Sequence, residues 1–149
     1  MADPLTMFIV IRKDLIKRWQ ASDIPTFSAN PCFLADPIDL TYSPLHACIL
    51  NVPSVIAQAC HASTAVLHTT QELRDTREYL ADIHNMHKVV LQVKNQPQLE
   101  ELAASLSTLE VPHVVWREQP EDILTCLSTS PIRRSAEVKE AFKKCSLFR

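Results

Sequence analysis

The sequence contains no glycine among its 149 residues, although average usage would give about ten. Phosphate-binding loops of the Walker type, dinucleotide-binding fingerprints and glycine-rich kinase loops all need backbone without a Cβ where the chain approaches phosphate. The lack of glycine therefore excludes these nucleotide-binding motifs in recognisable form. The composition is otherwise that of a globular chain, with 46% hydrophobic and 21% charged residues.

Paired cysteines and long apolar runs are also lacking. The five cysteines form no Cys-x-x-Cys pair and their number is odd, which argues against a disulfide framework. No apolar run reaches the roughly 18 residues of a membrane helix, and Met1 is not followed by a signal-peptide pattern. We therefore expect a cytoplasmic protein with no membrane association, and the sequence offers no residue set for a cofactor or a metal.

Positive charge is concentrated at one end of the sequence. The segment from Pro131 to Arg149 carries a net charge of +4, whereas the whole chain carries −2, so the remainder carries −6. Such a segment could contact a phosphate backbone. It could equally be a solvated helix face whose terminal cations suit the helix dipole. The charge pattern leaves both interpretations open.

The apolar periodicity predicts an α/β domain. Strands are predicted where β-branched apolar residues run together, and helices where apolar residues recur every three or four positions. The predicted strands are residues 7–11, 88–93, 113–116 and 124–128, and the predicted helices are residues 52–68, 70–83, 98–109 and 136–145. This alternation predicts a three-layer α/β/α domain with a mixed four-stranded sheet.

A proline-rich stretch interrupts this order. Four of the ten prolines lie between residues 16 and 50, where charges are few and no periodicity exceeds a turn. A structureless stretch of this length is unusual in a small domain. We therefore predict a single domain over residues 1–149 with an insertion at 16–50, which is either a lid or foreign to the fold.

Several polar residues could carry chemistry. Cys60 precedes His61, but helix neighbours point about 100° apart, which disfavours a thiol–imidazole dyad. His61 alone could act as a base or be hydrogen-bonded against the sheet. His84 and His87 lack the further ligands that a metal needs. Lys88 opens an apolar strand, where its ammonium could bind phosphate, stabilise an oxyanion or block pairing at a sheet edge.

Three stretches of this sequence resemble the type II peptidyl-tRNA hydrolase family. They are Met7–Leu15 (MFIVIRKDL), Val55–Ser63 (VIAQACHAS) and His87–Gln92 (HKVVLQ). The resemblance covers residues 7–15 and 52–149, and without the insertion the chain has about the size of the family's single domain. It implies cleavage of the ester between a nascent peptide and the 3′ ribose of tRNA, which frees the tRNA for reuse.

The resemblance also implies which residues form the site. Matching the family's motifs gives Asp14 after the first strand, Gln58 and His61 in the first helix, and Lys88 and Thr125 in strands. The expected substrate is peptidyl-tRNA, and the candidate contacts for its phosphates are Arg12, Lys13 or the Arg133–Arg134 pair.

The sequence departs from the family's pattern at two places. The family's glycine–lysine pair at the start of the first helix is replaced by Asn51–Ser54 (NVPS), and its Asp-Ala-Gly-Arg-Thr segment by Arg117–Glu121 (REQPE). Water activation and phosphate binding thus lack their usual groups, and Glu118 is a candidate substitute acid or base. Two functions are therefore considered. One is a peptidyl-tRNA hydrolase, and the other is a catalytically degenerate module of the same fold that binds tRNA or a protein.

Overall fold

The computed structural model describes residues 3–16 and 52–149, which form a five-stranded mixed sheet with helices on both faces. The strands are β1 (Thr6–Arg12), β2 (His87–Val93), β3 (His113–Glu118), β4 (Ile123–Thr129) and β5 (Ser146–Leu147). The α-helices are α1 (Val52–Thr69), α2 (Arg74–Ala81), α3 (Gln96–Thr108) and α4 (Ala136–Ala141). Short 3-10 turns follow β1, α2 and α4 at Lys13–Leu15, Ile83–Asn85 and Phe142–Lys144.

The central strand β1 is buried on both of its faces. Side chains alternate along a strand, so a strand covered on both sides needs apolar residues at every position, as the run from Met7 to Ile11 has. Phe8 and Val10 pack in a core shared with α3 and α4, whereas Met7, Ile9 and Ile11 pack in a second core shared with α1 and α2. Helices cover both faces, so the predicted three-layer α/β/α architecture is confirmed.

The sheet order is β3-β4-β1-β2-β5. β1 and β2 run parallel, and the other neighbouring pairs are antiparallel. Trp116 of β3 lies opposite Cys126 of β4, which lies opposite Ile11 of β1, and Ile11 pairs with Gln92 of β2. Helix α1 packs over β4, β3 and β1. The side chains that α1 presents to the sheet therefore lie near its β3 edge and its centre.

The sheet has five strands rather than the predicted four. Ser146 and Leu147 pair with Gln92 and Leu91, which adds β5 to the edge formed by β2. A strand of two residues has no periodicity, so the sequence pattern could not show it.

Two predicted helices are shorter in the structure. The helix predicted over 70–83 is α2 alone, because Thr70 lies in a turn where its hydroxyl accepts a hydrogen bond of 3.0 Å from the Thr76 hydroxyl. The helix predicted over 136–145 ends as α4 and continues as a 3-10 turn. Helix ends are where local pattern is least informative, because side-chain and turn contacts decide them.

Acidic residues take the left-handed backbone positions that glycine usually occupies. Within the described residues, Glu110 has φ 54° and Asp122 has φ 57°. Glu110 follows α3, where the N–H of Val111 donates to the carbonyl of Leu106 at 2.9 Å and satisfies the helix end. The chain thus turns at these places without glycine, at some cost in backbone strain.

No helix within residues 3–16 and 52–149 is both long and apolar enough to cross a membrane. The predicted insertion at 16–50 falls, apart from Ile16, outside the described residues, and it stays a prediction. Ile16 itself packs against the core between the sheet and α1.

Candidate active site

Gln58 of α1 connects the helix to the sheet. Its side chain is buried, and its Oε1 accepts a hydrogen bond of 3.1 Å from the hydroxyl of Thr125 on β4. The thiol of Cys126 donates to the backbone carbonyl of Gln58 at 3.3 Å. The next residues towards the sheet, Ala59 and Ala62, are small and let α1 approach closely. The structure therefore brings together two of the predicted site residues, Gln58 and Thr125.

Glu118 extends this polar cluster to the edge strand β3. One carboxylate oxygen accepts a hydrogen bond of 2.9 Å from Nε1 of Trp116, and the Gln58 side chain also hydrogen-bonds to the carboxylate. The Trp116 bond, then the Gln58 bond, and then the nearby charge of His61 lower the pKa of Glu118 from its usual 4.5, while partial burial opposes the shift. The carboxylate is therefore held in its ionised form next to an imidazole.

His61 lies flat against Trp116. The two ring centroids are 5.1 Å apart and the ring planes are inclined by 20°. The imidazole is exposed to solvent, whereas the indole is half-buried. His61 thus contacts the face of the Trp116 indole and Glu118 its Nε1. Together with Gln58 and Thr125 they form what we call the Glu118 cluster: Gln58, His61, Trp116, Glu118 and Thr125.

The lowered pKa of Glu118 predicts an acid-sensitive contribution to folding. A folded-state pKa below the unfolded value means that the stabilisation is present above about pH 4.5 and is lost as the pH falls through the folded pKa. We expect Glu118→Gln to reduce the drop in Tm between pH 7 and pH 3.5 by roughly 1–2 °C, since solvent screens this half-exposed group. Thermal unfolding of both proteins at the two pH values measures this. An unchanged drop would show that the carboxylate gains nothing from its hydrogen bonds.

The structure does not bring Lys88 and His61 together. Nζ of Lys88 donates to the hydroxyl of Ser63 at 3.1 Å, and this hydroxyl also contacts Sδ of Met7 at 3.4 Å. Positions 61 and 63 lie about 200° apart around α1, so their side chains leave the helix in nearly opposite directions.

The sheet register separates Lys88 from Trp116, the residue that His61 contacts. The strand of Lys88 lies three strand spacings from that of Trp116, which is roughly 14 Å. Lys88 pairs with Met7, four positions before the Gln92 level that aligns with Trp116, which adds roughly 13 Å along the strands. Lys88 and His61 therefore contact different parts of the sheet and helix, Lys88 at Ser63 and His61 at Trp116.

Asp14 is bound by a neighbouring arginine. Its carboxylate forms an ion pair of 2.8 Å with Arg12, whose side chain is only 8% exposed. Nη1 of Arg12 also donates to Oε1 of Gln96 at 3.0 Å and to the carbonyl of Leu124 at 2.6 Å. These partners lie at the start of α3 and on β4. Arg12 therefore connects the end of β1 to both elements, on the sheet face opposite to α1.

The other candidate cations lie at separate places. Arg133 donates to Glu78 at 2.9 Å and to the carbonyl of Asp3 at 3.0 Å. The guanidinium of Arg134 lies 5.7 Å from the ring centroid of Phe8. Lys13 is exposed in the turn after β1. Arg133 and Arg134 thus contact different parts of the fold, and the four predicted cations do not form one patch.

The cysteines of the described residues are poor nucleophiles or lie away from a base. Burial raises the pKa of Cys126 to about 12 and that of Cys145 to about 11. Cys60 is exposed, but the ring of the adjacent His61 stacks on Trp116 and not against the Cys60 thiol. In residues 3–16 and 52–149, no three His, Cys, Asp or Glu side chains come together as a metal site.

Sequence reasoning missed Trp116 as a site residue. Its only signal was its position two residues before Glu118 on a strand, where side chains of the same face recur every second residue. That spacing places the indole and the carboxylate on one face, but only the packing of α1 shows that His61 and Gln58 meet them there.

Comparisons with known proteins identify the family. The family model described as Peptidyl-tRNA hydrolase PTH2 matches residues 49–148. The human protein named "Putative peptidyl-tRNA hydrolase PTRHD1" is 42% identical over 96 residues, which cover 64% of this chain and 68% of the relative. The mouse protein of the same name is 41% identical over the same shares. The matched residues include the Glu118 cluster and Lys88 and make up well over half of the sequence, and the chain therefore belongs to the PTH2 family of peptidyl-tRNA hydrolases.

Proposed function

We propose that this protein is a cytoplasmic peptidyl-tRNA hydrolase, which cleaves the ester between a peptide and the 3′ ribose of tRNA. The observation that carries the proposal is an exposed imidazole, His61, stacked on Trp116, whose Nε1 donates to the ionised carboxylate of Glu118, in a chain of this family. Histidine is the side chain that most often transfers protons in hydrolysis near neutral pH.

The reaction uses His61 first as base and then as acid. His61 takes a proton from water while the water oxygen bonds to the ester carbonyl carbon. The negative charge of Glu118 stabilises the imidazolium that forms. The carbon–oxygen bond to the ribose then breaks, and His61 returns the proton to the leaving ribose oxygen. Peptide carboxylic acid and free tRNA result, so one water is consumed and no electrons are transferred.

Gln58 and Thr125 act as positioning residues. The Thr125 hydroxyl donates to Oε1 of Gln58, which leaves the Gln58 amide group oriented to donate to Glu118. Because Gln58 and Thr125 are both buried, this orientation is held by packing as well as by hydrogen bonds. They fix the carboxylate rather than contact the substrate.

Lys88 is proposed to bind a tRNA phosphate and not the ester. Its ammonium is exposed on the same sheet face as α1, is held by Ser63, and lies on the other flank of the helix from His61. Lys13 is a second candidate phosphate contact, while Arg133 and Arg134 would need to exchange their present contacts. Arg12 already contacts Asp14, Gln96 and Leu124 and is not proposed to bind phosphate. The ion pair of Arg12 with Asp14 stabilises the fold instead.

This assignment predicts the kinetics of a Lys88→Ala variant. We expect KM to rise about three- to tenfold with kcat within twofold of the parent, because a phosphate contact binds the ground and transition states equally. The salt dependence of tRNA binding should lose about one unit of slope. Lys94→Ala, which removes an exposed lysine just after the same strand, is the matched control. A hundredfold fall in kcat would instead assign Lys88 to the oxyanion.

The function itself is tested by a hydrolysis assay on the purified full-length chain. Formyl-methionyl-tRNA is incubated with the protein, and the release of formyl-methionine is measured. We expect turnover in proportion to protein concentration. A folded sample that releases no formyl-methionine, yet binds tRNA with strong salt dependence, would replace the proposal by a tRNA-binding module of the same fold.

A further inference from the structure

We infer that the imidazole of His61, stacked on Trp116, is a platform on which the unpaired base at the 3′ end of the RNA stacks. This inference rests on the proposed function and adds which part of the substrate the site recognises. Hydrolysis at the ribose requires only that the ester reach His61, whereas a stacking platform also holds the base attached to that ribose.

Among residues 3–16 and 52–149, Trp116 is the ring that stacks on His61, and the outer face of the imidazole is open to a planar ligand. Trp116 covers one face of the ring, and the residue as a whole is exposed. Its neighbours on the outer helix surface, one turn away, are Ala57, Thr64 and Ala65, whose short side chains are too small to cover the other face. A stack of two rings that ends in solvent can therefore accept a third ring.

The platform is rigid before a ligand arrives. Trp116 stands on a paired strand, and its Nε1 is hydrogen-bonded to Glu118, which Gln58 also holds. These contacts hold the indole in one orientation, and the indole in turn orients the imidazole ring of His61. A rigid aromatic surface loses little conformational entropy on binding, which favours stacking affinity.

A rigid stacking surface suits an unpaired 3′ end of the substrate. Proteins recognise single-stranded RNA by stacking its bases on aromatic and histidine rings, and each such contact changes affinity by about 5- to 150-fold. A base stacked on the face of His61 leaves the ring nitrogens at the edge, where the attached ribose carries the ester. Base binding and proton transfer therefore use different parts of the same ring.

The test compares two RNA hairpins that differ only at the 3′ end. One ends in a short unpaired segment and the other is blunt, and fluorescence anisotropy measures their affinity for the full-length chain at one salt concentration. We expect the parent protein to prefer the unpaired end at least about fivefold. His61→Ala and Trp116→Leu should abolish this preference, whereas His61→Phe should keep it because phenylalanine retains a flat ring. His68→Ala, another exposed histidine of α1, is the control.

The outcomes of the binding experiment test base stacking separately from peptidyl-tRNA hydrolysis. Equal affinity for the two hairpins, or a preference that survives His61→Ala, would overturn it. So would a preference that His61→Phe loses as fully as His61→Ala does, because a hydrogen bond and not stacking would then be responsible. Hydrolysis of formyl-methionyl-tRNA without a preference for the unpaired end overturns the inference alone. A preference without hydrolysis supports the inference and rejects the enzyme, and absence of both rejects both.

Discussion

Replacing His61 by alanine is expected to lower kcat for peptidyl-tRNA hydrolysis about 100- to 10,000-fold, which is the range that general acid–base catalysis contributes. The variant loses the group that moves the proton, while the exposed position on α1 means that the fold is unaffected. His61→Phe should lose turnover to the same extent although it keeps the ring on Trp116. Single-turnover hydrolysis of formyl-methionyl-tRNA measures the loss.

The controls for this experiment come from the same helix and the same cluster. His68→Ala removes another exposed histidine of α1 and should leave turnover within about twofold of the parent. Glu118→Gln keeps an oxygen that can accept from Trp116 but loses the charge that stabilises the imidazolium, so we expect an intermediate, roughly tenfold loss. If His61→Ala hydrolyses the substrate as fast as the parent, either the proton is moved elsewhere or the measured activity comes from a contaminant.

Replacing Arg12 by alanine is expected to lower the free energy of unfolding by about 2–3 kcal/mol. The guanidinium is nearly buried and donates to Asp14, to Gln96 and to the carbonyl of Leu124. Its removal leaves the Leu124 carbonyl without this donor and opens a void at the end of β1. Because Asp14 remains partly exposed to solvent, the loss of the ion pair contributes less than that of a fully buried pair.

Urea unfolding monitored by circular dichroism measures this change. The matched control is Lys13→Ala at the adjacent exposed position, which should change stability by no more than about 0.5 kcal/mol. Binding of tRNA is measured on the same variants. If Arg12→Ala is as stable as Lys13→Ala but binds tRNA more weakly, the guanidinium contacts phosphate, and the structural role assigned to it is wrong.

The elements with a strong local pattern could be predicted from the sequence. The apolar run of β1 predicts a strand covered on both faces, and the spacing of Leu99, Leu102 and Leu106 predicts the buried stripe of α3. Strand β5 could not be predicted, because two residues have no period and their pairing depends on where β2 lies. The ends of α2 and α4 likewise depend on turn contacts.

The candidate site was predictable residue by residue but not as an arrangement. The resemblance supplies Gln58, His61 and Thr125 as separate positions, and their roles stay a proposal. That Gln58 and Thr125 meet, although they are 67 positions apart, follows from the packing of α1 on β4. Lys88 and His61 have different partners, Ser63 and Trp116, which only the packing of α1 on the sheet decides.

By itself, the sequence determined the fold class and the absence of glycine-based phosphate loops, since both follow from residue types and local spacing, and its motifs carried the resemblance to the family. Only the tertiary structure decided which side chains share a site. The contacts of Trp116 with both His61 and Glu118, and the ion pair of Arg12 with Asp14, depend on strand register and on the rotation of α1 over the sheet. Contacts such as that of His61 with Trp116 are between residues far apart in the chain, and no local sequence pattern predicts them.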